Sequence, residues 1–320
     1  MLIFIIKIYN VITIIILYLL YEIVFVIHCS CCLTNQYDNP YNTNMEENMI
    51  ENEEVYCDIL KDILANGEYR DDRTGVGTYA VFGVNMTFDL QKSFPILTKK
   101  KMYLKTMIVE LLWMLRGEDN IKFLQDNGVK IWDQWAHDDG HVGPMYGYQW
   151  RNWTDKNGNH IDQIKQIIDD IQNNPTSRRH IVNTWNVGDL PEMNLPPCHI
   201  FWQLYINNNK ELDLQMYQRS ADTFIGLPYD IALYSLLMHL ICGVTGYTPG
   251  KLKITVGDCH IYTNHLKQVK EYLSRPYPHN GQVIPQLFVP SKKSIDDYVI
   301  DDFNLVGYEP LKPIKAPIAV

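Results

Sequence analysis

The sequence predicts an α+β domain, a mixed β-sheet layered with helices, from about residue 54 to the C-terminus. The 320 residues are 46% hydrophobic and 20% charged, which is enough apolar material for a full core. Helix-like and strand-like patterns follow one another from Glu54 onward without a long linker or an internal repeat, which indicates one domain. Their mixed order favours α+β layers over regular βαβ winding.

The helices are predicted from apolar residues that recur with a helical period, and glycine marks two of the ends. The predicted helices are a stripe from Tyr56 to Ile63 that ends near Gly67, an apolar run from Met102 to Arg116 that stops at Gly117, a stripe from Ile161 to Ile171, and a run from Asp230 to Thr245.

Three strands are predicted between the last two helices. They are His180 to Trp185, Ile200 to Ile206 and Leu212 to Tyr217. The last two alternate apolar and polar residues around the turn of residues 207–209, which is typical of a hairpin.

The N-terminal part divides into a hydrophobic segment, residues 1–28, and a polar linker without an apolar period, residues 29–53, ahead of a catalytic domain, residues 54–320. Residues 2–27 are mostly apolar, and the stretch from Val11 to Ile27 is close to the shortest length of a membrane span, so an anchor or signal is one interpretation. Glu22 is expensive in lipid and a small-residue cleavage site is missing. The other interpretation is a start-site artefact, because Met45 and Met49 stand just ahead of the first amphipathic helix.

The net charge of -9 disfavours a nucleic-acid binder with a broad basic surface, although a local basic pocket for one phosphate is still possible. The seven cysteines show no spacing typical of a disulfide framework, so we expect a reducing compartment and a cytoplasmic protein. Membrane association through residues 2–27 stays open.

Two motifs are rejected. Gly75 to Ala80 fits a loose dinucleotide fingerprint, but a charged run precedes it and strand-like residues follow it. His137 to His141 could suggest a metal site, yet an exposed polar loop is the commoner outcome without a second ligand group, so no metal is expected.

Cys198 is the candidate nucleophile. It follows two prolines and precedes an imidazole, His199, at the start of a predicted strand. A buried structural cysteine is the plainer interpretation, because a reactive thiol needs a nearby positive charge. Arg219 and the pair Arg178 and Arg179 can supply that charge or bind a phosphate with their planar forks, and surface salt bridges are the alternative.

Glu110 lies within an apolar helical run, where a carboxyl group that faces the core has a raised pKa suited to proton transfer. It can instead lie on the polar side of the helix. The aromatic residues between Trp132 and Trp153 fit either a core or a flat heteroaromatic ligand.

Many ordered motifs resemble the thymidylate synthase family, and the resemblance runs from about Glu54 to Val320. The motifs are residues 72–75 (DRTG), 110–113 (ELLW), 131–133 (IWD), 143–147 (GPMYG), 149–151 (QWR), 177–179 (SRR), 197–199 (PCH), 218–220 (QRS) with Asp222, 226–228 (GLP), 257–258 (GD) with His260 and Tyr262, and 314–317 (IKAP).

The resemblance implies a thymidylate synthase fold, a homodimer that packs through its sheets, and reductive methylation of dUMP to dTMP with 5,10-methylenetetrahydrofolate. Cys198 would attack C6 of the pyrimidine. The implied catalytic residues are Cys198, Glu110, Tyr146, Arg219 and Asp230; the nucleotide-binding residues are Arg73, His199, Gln218, Ser220, Asp230, His260 and Tyr262, with Arg178 and Arg179 from the second subunit; the folate-binding residues are Trp132, Asp222, Gly226 and Ala319.

Asp230 departs from the family, which has Asn at the position that reads N3 and O4 of uracil. An ionised carboxylate would oppose the O4 acceptor, whereas the exocyclic amine of cytosine donates to it. Family members that act on dCMP, including phage deoxycytidylate hydroxymethylases, carry Asp here. Two other interpretations stay open: Asp230 is the N-cap of the following helix, or a protonated carboxyl imitates Asn.

The product also has alternatives. Trp132 and the family-like C-terminus favour a shielded intermediate that is reduced to methyl, whereas hydroxymethylases let water trap it. A regulator that binds nucleotide or RNA without catalysis is a hypothesis of another class, and the intact Cys198, Arg219 and Glu110 argue against it.

Overall fold

The computed structural model describes residues 51–318. The predictions for residues 1–28, for residues 29–50 of the linker and for Ala319 lie outside the described residues. The helices are α1 (Glu51–Asn66), α2 (Leu104–Arg116), α3 (Lys122–Asp126), α4 (Gly147–Asn152), α5 (Gln163–Asn173), α6 (Gly226–Thr245) and α7 (Leu266–Ser274). The strands are β1 (Glu68–Arg70), β2 (Thr78–Asp89), β3 (Trp153–Thr154), β4 (His160–Ile161), β5 (Ile181–Asn183), β6 (His199–Ile206), β7 (Glu211–Asp222), β8 (Thr248–Tyr262), β9 (Gln286–Phe288) and β10 (Asn304–Val306).

The central element is a mixed six-stranded sheet in the order β1-β2-β8-β7-β6-β5. All neighbours run antiparallel except β7 and β8, which are parallel. The predicted α+β class is thereby confirmed. The β6 to β7 hairpin turns at residues 207–210, as the sequence predicts.

Helix α6 is the core helix. It is apolar and buried along most of its length because it packs on the sheet beside β7 and β8. It is also the one helix among the described residues that is long and apolar enough to span a membrane. However, 72% of its most apolar stretch is buried inside the protein.

One face of the sheet packs in this core while the other is open. Trp202 and Met216 are fully buried, whereas Phe201 and Tyr205 on the alternate positions of β6 are 37% and 58% exposed. Phe201 stacks on its β7 partner Tyr217 with ring centroids 6.0 Å apart. We call this side of β5, β6 and β7 the open face.

Helix α1 includes residues 51–53, which the sequence assigns to the polar linker. Asn52 and Glu53 are buried because their polar groups have partners: Asn52 bonds the backbone of Asp89, and Glu53 accepts from Thr98 and Tyr272. Burial of these polar groups is tolerated for that reason.

The other helix and strand boundaries differ from the predicted ones by a few residues. Two long strands of the sheet are not delimited by the apolar periodicity of the sequence. Helix α2 ends as predicted at Gly117, whose φ of 68° is left-handed and whose N–H bonds the carbonyl of Met114. Strand β8 is not predicted from the sequence, and β2 is indicated only by the strand-like residues after Gly75 to Ala80. Gly75 and Gly77 lie in the loop between the antiparallel strands β1 and β2, so the rejection of a dinucleotide motif there is confirmed.

Candidate active site

The candidate nucleophile stands where β6 begins. The N–H of Cys198 donates to the Tyr146 hydroxyl at 2.9 Å, and its carbonyl accepts from the N–H of Arg219 at 2.9 Å. The pairing of β6 with β7 is irregular just after this point, between His199 and Phe201. The thiol is therefore held at a fixed position at the end of the sheet, half-buried.

Arg219 supplies the positive charge that a reactive thiol needs. Its Nε donates to the carbonyl of Pro197 at 2.9 Å and its Nη2 to the carbonyl of Pro196 at 2.8 Å. Burial raises the pKa of the Cys198 thiol, Arg219 opposes that rise, and Asp230 adds to it. The thiol is consequently the favoured form at neutral pH, and the positive charge of Arg219 favours the thiolate.

Glu110 projects from α2 toward the same place. Its Oε1 accepts a hydrogen bond from Nε1 of Trp132 at 2.8 Å. Burial raises the pKa of Glu110 to about 7, although the Trp132 hydrogen bond opposes the rise. A carboxyl group with this pKa exchanges a proton readily near neutral pH.

Tyr146 has a strained backbone, with φ of 42° and ψ of -107°. Its ring contacts those of Trp132 and His199, with centroids 5.7 Å and 5.2 Å away. Burial raises its pKa well above the usual value, so the hydroxyl stays neutral. Strain of this kind persists where surrounding contacts enforce it, as they commonly do at functional sites.

The next residue, Gly147, permits this path of the chain. A Cβ at Gly147 would stand 2.0 Å from the carbonyl oxygen of Met114 in α2. Only glycine allows the two backbones to approach so closely.

Asp230 lies inside α6, which begins at Gly226 with Ile225 as its N-cap. The N-cap interpretation of Asp230 is therefore wrong. Its Oδ1 is 2.9 Å from Nε2 of His199, and its Oδ2 accepts from Nε2 of Gln218 at 2.7 Å. Within the described residues, His199 Nδ1 and Gln218 Oε1 are buried and have no partner. These two atoms are thus available for water or ligand groups.

A cavity of about 220 Å³ brings together four of the residues that the resemblance assigns to the phosphate and sugar: Arg73, Ser220, His260 and Tyr262. His260 is held by Asp258, whose Oδ1 lies 2.7 Å from its Nδ1. The sequence reasoning gave no role to Asp258 or to Arg70, which bonds Asp258 at 3.2 Å. The period-two pattern of β8 would have put Asp258 and His260 on one face.

Asp222 ends β7 and faces the start of α6. Its Oδ1 accepts from the N–H groups of Phe224 and Ile225 at 2.9 Å and 3.2 Å. All of the hydrogen bonds that the described residues give Asp222 go to Oδ1, which leaves Oδ2 for a ligand donor. Burial favours the neutral carboxyl, but His265 and the backbone donors outweigh it and lower the pKa of Asp222.

Two of the residues that the resemblance assigns to the phosphate lie apart from the cavity of this chain. Arg178 and Arg179 are exposed just before β5, at the edge of the open face, and do not line the cavity. A cavity of about 860 Å³ lies between α2 and residues 295–301, and none of the candidate site residues line it.

No group of three or more His, Cys, Asp or Glu side chains in residues 51–318 is arranged to hold a metal ion. In a comparison with models of known protein families, the model for thymidylate synthase matches residues 54–320. The match includes every element of the site described above.

Proposed function

The chain belongs to the thymidylate synthase family of methyltransferases, and from this premise we propose that it converts dUMP to dTMP. The observation that carries the proposal is the convergence of Cys198, Arg219, Glu110 and Tyr146 near the cavity that Arg73, Ser220, His260 and Tyr262 line. A nucleophile, a cation, a proton-exchanging carboxyl and a hydroxyl are the groups that C5 alkylation of a pyrimidine requires.

In the proposed reaction, Sγ of Cys198 forms a bond to C6 of the pyrimidine, and the electron pair of the C5–C6 double bond moves to C5 and O4. Arg219 stabilises the thiolate while the bond forms. After the one-carbon unit is attached at C5, a base removes the C5 proton as the bond between the one-carbon unit and the folate nitrogen breaks. A hydride added to the resulting C5 methylene would then expel the Cys198 thiolate and restore the C5–C6 double bond. Glu110 is suited to these proton transfers because a pKa of about 7 leaves both its acid and its base form present near neutral pH, and Tyr146 stays a neutral hydroxyl that can donate or accept a hydrogen bond.

The co-substrate of the family, 5,10-methylenetetrahydrofolate, supplies the methylene carbon and the hydride. The residues present fit it. Oδ2 of Asp222 accepts no hydrogen bond from residues 51–318, so it can accept from a ring N–H, and the ring of Trp132 lies beside Glu110 and Tyr146 as a packing surface. Gly226 adds no side chain between Asp222 and the start of α6.

The nucleotide is proposed to bind with its phosphate near Arg73, Arg219 and Ser220 and its sugar near His260 and Tyr262. We also propose a homodimer through the open face. Its exposed Phe201, Tyr205 and Ile181 are apolar enough to favour burial. Because Arg178 and Arg179 stand at the edge of this face, a partner's copies can reach the phosphate.

A second candidate, C5 methylation or hydroxymethylation of dCMP, is favoured by Asp230. Gln218 Nε2 can only donate, so Oδ2 of Asp230 accepts there, as an ionised carboxylate does. The exocyclic amine of cytosine suits a carboxylate better than O4 of uracil does. If Oδ1 carries a proton instead, it can donate to His199 Nε2 or to O4, and uracil fits.

The proposal is tested by turnover of the full chain with dUMP and 5,10-methylenetetrahydrofolate, with Cys198→Ala and the matched Cys57→Ala as variants. Cys57 is another free cysteine and lies outside the site. We expect Cys198→Ala to abolish dTMP formation while dUMP still binds, and Cys57→Ala to retain turnover. Turnover by Cys198→Ala would overturn the covalent mechanism, and nucleotide binding without turnover by the unaltered chain would favour a non-catalytic regulator.

A further inference from the structure

A buried histidine joins Asp222 to the end of the chain. His265 closes the short turn between β8 and α7, and its side chain is fully buried. Its Nε2 lies 2.7 Å from the carbonyl oxygen of Pro317. Because a carbonyl only accepts, Nε2 carries the hydrogen and donates to Pro317. The C-terminal segment, here residues 311–318, is thus tied to the body of the domain through His265.

The second nitrogen of the ring faces Asp222. Nδ1 is 3.6 Å from Oδ1 of Asp222, which is too long for a hydrogen bond, and within the described residues it is buried without a partner. A small movement of the Asp222 carboxylate toward the ring would close this gap. Oδ1 also accepts from the N–H groups of Phe224 and Ile225, and Oδ2 has no hydrogen bond within the described residues, so the carboxylate can turn about these two bonds.

The surroundings favour a positive charge on this ring. Burial alone would lower the pKa of His265, but Asp222 and the Pro317 carbonyl outweigh it, so the net pKa is raised. The other titratable groups that face the ring are Lys100, whose charge opposes a proton there, and Tyr262, whose ring is 5.5 Å away. Burial lowers the pKa of Lys100 to about 7, and Lys100 donates to the carbonyl of Phe224.

We propose that His265 is a positioning residue that couples ligand binding at Asp222 to the placement of the C-terminal segment. A ring N–H donor of the folate on Oδ2 fixes the Asp222 carboxylate, the carboxylate then bonds Nδ1–H, and the same ring holds Pro317. The segment is therefore held most firmly when the folate is bound. This coupling rests on the proposed function, because it takes the ligand of Asp222 to be the folate.

The first test needs no catalysis. Hydrogen exchange of the C-terminal peptides is measured by mass spectrometry in the full chain and in His265→Ala, His265→Gln and the surface control Lys267→Ala. We expect exchange in residues 311–318 to rise severalfold in His265→Ala, because the bond to Pro317 is lost. His265→Gln retains an N–H donor and should restore most of the protection, but without the pH dependence of the imidazole. Equal hydrogen exchange of residues 311–318 in all four proteins would show that His265 does not hold the C-terminal segment.

The second test measures the coupling between folate binding at Asp222 and the C-terminal segment. We expect the KM for 5,10-methylenetetrahydrofolate to rise at least severalfold in His265→Ala while the KM for the nucleotide is unchanged, and C5 proton release to exceed methyl product. A fall in kcat alone, or an equal rise of both KM values, would overturn the coupling. If the unaltered chain releases no C5 proton from either nucleotide, the proposed function fails, and the exchange experiment still decides whether His265 holds the segment.

Discussion

Replacement of Asp230 by Asn should change the choice of base. In the structure both carboxylate oxygens of Asp230 face nitrogen atoms, of His199 and Gln218. An amide at this position has one acceptor and one donor, which match N3–H and O4 of uracil. Gln218 can adapt because its Oε1 has no partner among the described residues, so its amide can rotate and accept the new N–H.

The expected change in selectivity between dUMP and dCMP comes from one hydrogen-bonding pair, between residue 230 and the base, that the substitution corrects for uracil. A mispaired buried polar group is worth about 1 to 3 kcal/mol, which is roughly ten to a hundredfold in selectivity. We therefore expect Asp230→Asn to raise the ratio of kcat/KM for dUMP to that for dCMP by about ten to a hundredfold.

The assay is steady-state turnover with each nucleotide, measured for the unaltered chain, Asp230→Asn and the surface control Asp58→Asn. Asp58 lies on the exposed side of α1, with a side chain that is 66% exposed, so its replacement removes the same charge away from the site. An unchanged ratio in Asp230→Asn, or an equal change in the control, would refute a contact between Asp230 and the base.

Three further predictions concern the proton carrier, the backbone and the dimer. Because the pKa of Glu110 is raised to about 7 by burial, its neutral form stabilises the fold, and that contribution is lost as pH rises from the unfolded pKa through 7. Glu110→Gln should therefore flatten the decline of Tm between pH 5 and about 8, and a parallel decline in both proteins would contradict this. Gly147→Ala should lower the free energy of unfolding by about 2 kcal/mol or more, measured by denaturant titration, because its Cβ would meet a carbonyl of α2. Mixed subunits of Cys198→Ala and a double variant of Arg178 and Arg179 to Ala should regain turnover, and failure of subunits that demonstrably exchange would argue against a shared phosphate site.

The predictable parts of the fold are the local ones. The stripe from Tyr56 to Ile63 and the αL glycine at 117 act within one helix, so the sequence locates α1 and α2 closely. Strand β8 is different. Its central part alternates Leu252, Ile254 and Val256 with polar residues, but its end buries the consecutive residues 259–261, so the period of two is lost there.

In the candidate site too, features that are local in the sequence are predictable and contacts between distant residues are not. Neighbours in sequence, such as Cys198 and His199, can be singled out from their residue types and the constraint of two prolines. The bond from Asp230 to His199 and the bond from His265 to Pro317 join distant parts of the chain, so no local pattern contains them. The start of α6 at Gly226 was missed because Leu-Pro-Tyr before Asp230 looks like a helix entry, although proline is well tolerated in a first turn.

The measurement that tests the account most directly is turnover of the full-length protein with 5,10-methylenetetrahydrofolate and either dUMP or dCMP. Dihydrofolate is followed by absorbance and the pyrimidine product is identified by mass. The account predicts faster formation of dTMP from dUMP, with dihydrofolate released in equal amount. Preferred use of dCMP, or a hydroxymethyl product without dihydrofolate, would contradict it and make Asp230 the residue that selects the substrate.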